Sequence, residues 1–283
     1  MTEQQRTLYR GSIDEDLRPL SALLWHHGVA HRVVEENGEQ VMELARGDQM
    51  DEARDMLRRW RNGDIQVELR PREAPERGAF IATLASVPIT SALIVLSVLG
   101  FLLVSLGDAA AVSLLSYRPF DLVDGRPVFG EAGLQPWRLI TPAFLHFGWV
   151  HIIFNSLWCW ELGRRIERRL GGLNLFSLFV ATAAMSNFAQ DMVSGPVLFG
   201  GLSGVVYALL GFAWVAGRLN PAWRDLTPAT PVMLFMVGWL LFCVFGLVNV
   251  LGFAVANAAH VAGLLSGAFV GLVLALGHRS RSS

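Results

Sequence analysis

The stretch VLFGGLSGVVYALLGFAWVAG, residues 197–217, decides the fold of this chain. It is apolar over the roughly 20 residues that a helix needs to cross the ~30 Å hydrocarbon core of a bilayer. Near its start, however, Ser203 lies within the sequence Gly-Leu-Ser-Gly. A polar side chain inside a membrane span costs free energy and marks a candidate functional residue. The stretch therefore predicts a transmembrane helix that carries a functional serine.

The composition indicates a membrane protein with a polar N-terminal part. Of the 283 residues, 53% are hydrophobic, and 28 of the 47 Asp, Glu and Arg residues lie in the first 77 positions. The net charge is −1 without a basic stripe, which argues against a nucleic-acid partner. Cys159 and Cys243 lie in apolar segments, and neither fits a disulfide or a metal site. We expect no metal and no cofactor.

Residues 1–66 predict a small α+β domain with the order strand, helix, hairpin, helix. Its clearest signal is Asn37-Gly38 between two short alternating runs, because Asn-Gly is the strongest short-range mark of a β-hairpin. The chain opens with polar residues and without the apolar core of a signal peptide, so we expect this domain in the cytosol. A charged linker, 67–79, follows it.

The remaining chain predicts an all-α polytopic membrane domain, 80–278, with a short tail, 279–283. Counting apolar runs long enough to cross a bilayer gives six spans. They cover 81–106, 149–170, 174–192, 198–217, 231–251 and 254–276. An even number of spans returns the C-terminus to the side of the N-terminus.

The arginines orient these spans. Short loops on the cytosolic side of a membrane are enriched in basic residues. The outer side would carry Arg118, Arg126 and Arg138 alone. The other side would carry eleven arginines: Arg70, Arg72, Arg77, Arg164, Arg165, Arg168, Arg169, Arg218, Arg224, Arg279 and Arg281. Both termini are therefore expected in the cytosol.

The first outer loop, 107–148, is long and unusually apolar. A loop of this length is more often functional than decorative. Because an aromatic and a basic side chain suit the membrane interface, we expect Trp137 and Arg138 to anchor the loop there.

Four polar residues of different spans fall at a similar depth. Spans two, four and six run in the same direction, and Ser203 and His260 lie 15 and 19 residues before Arg218 and Arg279. At a rise of 1.5 Å per residue, their depths differ by about 6 Å. In span two, His151 and Asn155 are four residues apart, on one helix face near the outer end. A site built from these four side chains is predicted.

Small residues would let two helices approach closely enough for a serine to reach a histidine. Span six presents a ridge at every fourth residue, Ala259, Gly263, Gly267 and Gly271, and span four offers Gly200, Gly204 and Ala208. Tyr207, one turn after Ser203, is expected to stack against His260.

The residue types indicate acyl transfer. Ser203 would attack a carbonyl carbon, His260 would act as general base, and His151 and Asn155 would donate hydrogen bonds to the oxyanion. No acidic residue lies deep in spans four to six, so a dyad is expected rather than a triad. Each residue alone has a simpler interpretation: a serine bonded to its own helix, a histidine that relays protons, or an asparagine that joins helices.

At these residues the sequence resembles the rhomboid family of intramembrane serine proteases. The resemblance covers about 200 residues and rests on Trp137-Arg138, His151 with Asn155, Gly201 to Gly204 followed by Tyr207, and Ala259 to Gly263. It also implies structural roles for Glu167 and Arg169. The N-terminal domain resembles the cytoplasmic domain of six-helix bacterial rhomboids.

The resemblance implies a multi-pass protein of the bacterial inner membrane. It implies that Ser203 is the nucleophile and His260 the base, with His151 and Asn155 in the oxyanion hole. Family members cleave transmembrane segments of membrane proteins near their outer end and favour small residues before the cleaved bond. The fifth helix and the loop after it are proposed to form the substrate gate.

Two other classes remain as alternatives to a protease. A non-enzymatic relative that binds client helices would usually lack the serine or the histidine, and both are present here. A transporter that uses His260 as a proton relay should show repeated spans, and the sequence shows none.

Overall fold

A computed structural model describes residues 6–65, 78–133, 135–248 and 255–282 of the chain. The chain divides into two compact units, residues 1–77 and 78–283. The predicted linker, 67–79, lies outside the described residues as far as Arg77. The fold combines a small α+β unit with a helical membrane unit, as the sequence predicts.

The first unit is a three-stranded antiparallel sheet with two helices. Its strands are β1 (Thr7–Ser12), β2 (His31–Glu36) and β3 (Glu39–Leu44), in the order β1-β3-β2. Its helices are α1 (Arg18–His26) and α2 (Met50–Arg61). Asn37 and Gly38 form the two-residue turn between β2 and β3, both with positive φ, as the hairpin prediction requires.

Leu20, Leu24 and Met42 are fully buried at the centre of this unit. The unit thus has an apolar core of its own.

On the surface of this unit, Arg18 donates two hydrogen bonds to Asp16 and lowers the pKa of that carboxyl group to about 2.

The membrane unit contains six long helices in the part of the chain that the structure describes. They are α4 (Pro88–Leu106), α6 (Trp149–Leu170), α7 (Gly172–Ser194), α8 (Ser203–Leu219), α9 (Thr230–Val244) and α10 (Asn257–Ser282). Short helix α3 (Ala79–Ala85) precedes α4. The first outer loop holds helix α5 (Ala109–Leu115) and a hairpin of β4 (Phe120–Val123) and β5 (Arg126–Phe129).

Three of these helices are long and apolar enough to cross a membrane: α4, α7 and residues Asn257–His278 of α10. Helices α8 and α9 are apolar but shorter. Helix α6 is long, and its second half carries six charged residues. One of these, Glu167, accepts hydrogen bonds from the backbone of Ile89 and Thr90 and so caps α4, which confirms its structural role.

Three of the approximate predicted spans differ from the helices that the structure shows. Span one is interrupted before Pro88, because the residue before a proline avoids the helical region and Val87 adopts φ −138°. Span five ends at Val244, shortly before Gly246 with φ +75°. Span six begins at Asn257 rather than at residue 254, and residues 249–254 lie outside the described part of the chain.

Span four is also shorter than predicted. Helix α8 begins at Ser203, and residues 198–202 are not helical. Gly201 has φ +110°, a conformation that glycine adopts far more easily than other residues. The predicted span includes the glycines of this stretch as part of an apolar helix. In the structure they form the end of the loop that precedes α8.

Helix α8 is the centre of the membrane unit. Twelve of its 17 residues are buried, and Leu209, Leu210 and Phe212 are almost completely enclosed. Helices α6, α7 and α10 pack around it. This position explains why a helix of 17 residues can be apolar on every face.

Candidate active site

Ser203 is the first residue of α8. The first N–H groups of a helix have no partner inside the helix, and the helix dipole places a partial positive charge there. Ser203 therefore combines a hydroxyl group with a helix end that favours a developing negative charge.

Ser203 and His260 are brought together as predicted. The Ser203 Oγ and His260 Nε2 atoms lie 2.7 Å apart, and His260 is 5% exposed. The Nδ1 atom of His260 is buried and has no hydrogen-bond partner among the described residues. With Nδ1 protonated, Nε2 can accept the Ser203 proton, since one nitrogen of a neutral imidazole is a donor and the other an acceptor.

Glycines bring the two helices into backbone contact, which confirms the predicted ridge of small residues. A Cβ atom on Gly263 would overlap the Gly204 carbonyl, and one on Gly267 would overlap the Ala208 carbonyl. Tyr207 is in ring contact with His260, with centroids 4.9 Å apart at 42°, and its hydroxyl donates to the Met236 carbonyl at 3.0 Å. The tyrosine thus restricts the imidazole on one side.

His151 and Asn155 both lie near the N-terminal end of α6. The Nε2 atom of His151 lies against Gly201, where a Cβ atom would overlap it. Asn155 is buried, with 5% of the residue exposed. The structure therefore places His151 beside the residues that precede Ser203, with Asn155 one turn further along the same face.

His146 is a further residue of this site, and the sequence analysis missed it. Its Nδ1 donates to the Phe144 carbonyl at 3.0 Å, so its Nε2 is the acceptor for the Leu202 N–H at 3.2 Å. Burial, and to a smaller extent His151, lowers the pKa of His146 to about 4. The imidazole is therefore neutral at pH 7 and holds the residue before Ser203.

Gln190 on α7 is a second residue that the sequence did not reveal. Its Oε1 accepts a hydrogen bond from the Ala259 N–H at 3.0 Å, in the first turn of α10. Its amide donates to the Ser194 hydroxyl at 2.7 Å. Gln190 therefore fixes the start of the helix that carries His260.

Trp137 and Arg138 do not touch the Ser203 and His260 pair. Arg138 is 6% exposed and donates to the carbonyls of Ser113 and Ser116, while the Trp137 indole donates to the Leu114 carbonyl. Burial lowers the pKa of Arg138. The guanidinium of Arg138 therefore braces the first outer loop from inside, and the predicted anchoring of that loop at the membrane interface stays a prediction.

A small cavity of about 10 Å³ adjoins Ser203. Small residues dominate its lining, which includes Ala143, Ala183, Gly200, Gly201, Gly204 and Ala259. Among the described residues, no group of three His, Cys, Asp or Glu side chains converges as metal ligands would.

Two family models match the chain. A rhomboid domain matches residues 133–277, and a rhomboid N-terminal domain matches residues 8–71. The first match spans the serine, both oxyanion candidates and His260. The second spans the sheet and the two helices of the first unit.

The chain is similar to several proteins named rhomboid protease GlpG. Identity is 40% over 211 residues to the protein of Serratia proteamaculans (strain 568), which covers 74% of this chain and 69% of the relative. Over the same lengths, identity is 37% to the Yersinia pestis (strain Pestoides F) protein and 38% to that of Yersinia enterocolitica serotype O:8. These names favour the protease over the binder and the transporter. The chain therefore belongs to the rhomboid family of intramembrane serine proteases.

Proposed function

We propose that this chain cleaves transmembrane segments of other membrane proteins near their outer end, with Ser203 as nucleophile and His260 as general base. The observation that carries the proposal is the 2.7 Å distance between Ser203 Oγ and His260 Nε2 in a buried site at the start of α8. A serine oxygen within hydrogen-bond reach of an unprotonated imidazole nitrogen is the arrangement that nucleophilic catalysis needs.

The reaction proceeds in two halves. Ser203 Oγ forms a bond to the carbonyl carbon of the substrate while His260 Nε2 takes the hydroxyl proton. The C–N bond then breaks, and His260 returns that proton to the leaving amine, which leaves an acyl group on Ser203. Water activated by His260 hydrolyses this ester in the second half.

The oxyanion is stabilised by donors that surround the start of α8. The backbone N–H of Ser203, the imidazole of His151 and the amide of Asn155 are the proposed donors. His151 lies against Gly201, and Asn155 is buried one turn further along α6. The dipole of α8 adds to this stabilisation.

The small residues around the cavity support a preference for a small side chain before the cleaved bond. Ala143, Ala183 and Gly200 leave a space close to the size of one water molecule, so a large side chain would not fit without movement. The substrate must also unwind locally, because a helix holds its peptide carbonyls in backbone hydrogen bonds.

The arginine distribution supports cleavage near the outer end. Arg164, Arg165, Arg168 and Arg169 lie in the C-terminal half of α6, and Arg218 lies in the last turn of α8. Ser203 and His151 lie at the opposite ends of these helices. With arginines inside, both termini are cytosolic and the site is near the outer face of a bacterial inner membrane.

The test uses purified full-length protein in detergent with a transmembrane substrate. Ser203→Ala is expected to lower the cleavage rate by about 10³-fold or more, and His260→Ala by a similar factor, because the two residues act as a unit. Ser266→Ala is the matched control, since this hydroxyl bonds to its own helix at the Gly263 carbonyl. Cleavage that survives Ser203→Ala would contradict the mechanism.

Labelling by a fluorophosphonate gives an independent measurement that needs no substrate. The probe is expected to modify the wild-type protein and the Ser266→Ala variant, and to leave Ser203→Ala and His260→Ala unmodified. Labelling at a residue other than Ser203 would refute the assignment of the nucleophile.

A further inference from the structure

Residues 195–202, here called the nucleophile segment, join the end of α7 to Ser203 and are held by the first outer loop. Near Ser203, the Gly201 N–H donates to the Pro142 carbonyl at 3.0 Å, and Leu202 donates to His146. In the middle, Phe199 lies in ring contact with Tyr117, with centroids 5.8 Å apart. The outer loop therefore contacts the second half of the segment, residues 199–202.

An ion pair fixes the other end of the nucleophile segment. Arg118 Nε lies 2.6 Å from Asp191 Oδ1, and Arg118 Nη2 lies 2.9 Å from Asp191 Oδ2. Such a two-point contact between guanidinium and carboxylate sets both position and orientation. The same Asp191 accepts the Gly195 N–H through its backbone carbonyl at 2.8 Å, where α7 ends. The ion pair thus ties the last turn of α7, which directly precedes the segment, to the first outer loop.

The two partners differ in their exposure. Asp191 is buried, with 6% of its side chain exposed, while 25% of the Arg118 side chain remains exposed. Removing the arginine would leave a carboxylate buried without a counter-charge, which is strongly unfavourable. Removing the aspartate would leave an arginine that water can reach.

We propose that the Arg118–Asp191 ion pair is a positioning element for Ser203. Together with the adjacent contact between Tyr117 and Phe199, it holds the nucleophile segment so that the Ser203 hydroxyl and the oxyanion donors keep their geometry. Arg118 bonds to Asp191 and acts on Ser203 only through the segment. The proposal rests on the function proposed for Ser203, and its expected effect is a slower chemical step, since displacements of about 1 Å can reduce rates 10²-fold.

The test compares Arg118→Gln, Asp191→Asn and the double variant in the full-length protein. Arg118→Gln is expected to lower both kcat and the rate of fluorophosphonate labelling about tenfold, with KM within about twofold. Asp191→Asn should lower kcat only about threefold, because the remaining arginine is partly hydrated. The double variant should have the same kcat as Asp191→Asn, since it has no buried carboxylate without a counter-charge.

Arg126→Gln is the matched control. Arg126 lies on β5 of the same loop, is exposed, and forms no ion pair within the described residues. Its kcat and labelling rate should equal those of the wild type. All rates are measured well below the thermal midpoint of each variant, so that loss of folded protein does not contribute.

Two results would overturn the proposal without affecting the assignment of Ser203 as the nucleophile. One is Arg118→Gln with wild-type kcat and labelling rate, and the other is a double variant as slow as Arg118→Gln or slower. A wild-type protein whose cleavage does not depend on Ser203 would instead refute the proposed function and this proposal with it.

Discussion

The pair of helices α8 and α10 and the single helix α9 are packed in opposite ways. Between α8 and α10, glycines bring one backbone against the other, and Gly263 meets the Gly204 carbonyl. Helix α9 buries Met236, Leu240 and Cys243, whereas Leu234, Phe235 and Trp239 are about half exposed or more. The exposed side chains are available to lipid.

The difference shows what fixes a helix in a bilayer. Both α8 and α9 are strongly apolar, but lipid is also apolar, so hydrophobicity does not determine which helix lies inside. Close packing at small residues determines it for α8 and α10. Within the described residues, two side-chain hydrogen bonds connect α9 to them, from Tyr207 to the Met236 carbonyl and from Asn257 to the Cys243 carbonyl, beside the packing of Met236 and Leu240.

The largest expected effect comes from adding one methyl group to the contact between α8 and α10. In Gly267→Ala the new Cβ atom would overlap the backbone of Ala208, so the helices must separate. We expect the free energy of unfolding to fall by about 3 kcal/mol and fluorophosphonate labelling to be lost with it. The midpoint of thermal unfolding in detergent measures the first, and labelling at a low temperature the second.

The same substitution in α9 provides the control. At Gly238 no atom of the described residues outside the adjoining helix backbone lies within 4 Å of the added Cβ atom, so Gly238→Ala should leave stability unchanged or slightly raised, since alanine is the better helix former. Equal effects of the two variants would mean that α8 and α10 are not packed more tightly than α9.

A substitution that leaves a cavity in α8 should lower the free energy of unfolding by less than one that forces α8 and α10 apart. Leu209 in α8 is completely buried, and Leu209→Ala should lower the free energy of unfolding by about 2 kcal/mol. This loss comes from packing alone, because the separated helix is surrounded by lipid rather than by water. Leu241 in α9 is 49% exposed, and Leu241→Ala should change it by less than about 0.5 kcal/mol. Thermal midpoints of both variants check the difference, and similar losses would contradict it.

The contact between α8 and α10 could be predicted because it follows from regular geometry. A constant rise per residue placed Ser203 and His260 at similar depths, and the spacing of Gly263 and Gly267 placed both on one helix face. The observed hydrogen bond between Ser203 and His260 agrees with both arguments. Helices carry such information because each residue advances by the same step.

The surroundings of Ser203 could not be predicted in this way. The start of α8 depends on the backbone conformation of Gly201, which an apolar run does not reveal. His146 and Arg118 lie in an irregular loop, and their partners, Leu202 and Asp191, are 56 and 73 residues away in the chain. Charge and spacing contain no signal for pairs of this kind, because loop paths have no fixed period.

The smallest expected effect concerns the tie between α10 and α9. Asn257→Ala removes the hydrogen bond to the Cys243 carbonyl, which is unfavourable. It also removes the buried Asn257 Oδ1 atom, which has no partner among the described residues, and this loss is favourable. A hydrogen bond and an unsatisfied buried acceptor each change the free energy of unfolding by about 1 kcal/mol, with opposite sign. The two losses therefore nearly cancel, and the thermal midpoint should barely change. The local effect should remain: amide hydrogen exchange near the end of α9 should become about tenfold faster, since a weakly packed helix end opens by itself.

Asn187→Ala is the control for this exchange experiment, because the Asn187 amide makes the same kind of bond to the Leu139 carbonyl, at 2.8 Å, away from α9. That variant should leave exchange in α9 unchanged. If Asn257→Ala accelerated exchange in α8 and α10 as much as in α9, the three helices would open as one unit. The contrast between a fixed pair of helices and a separately held helix would then be wrong.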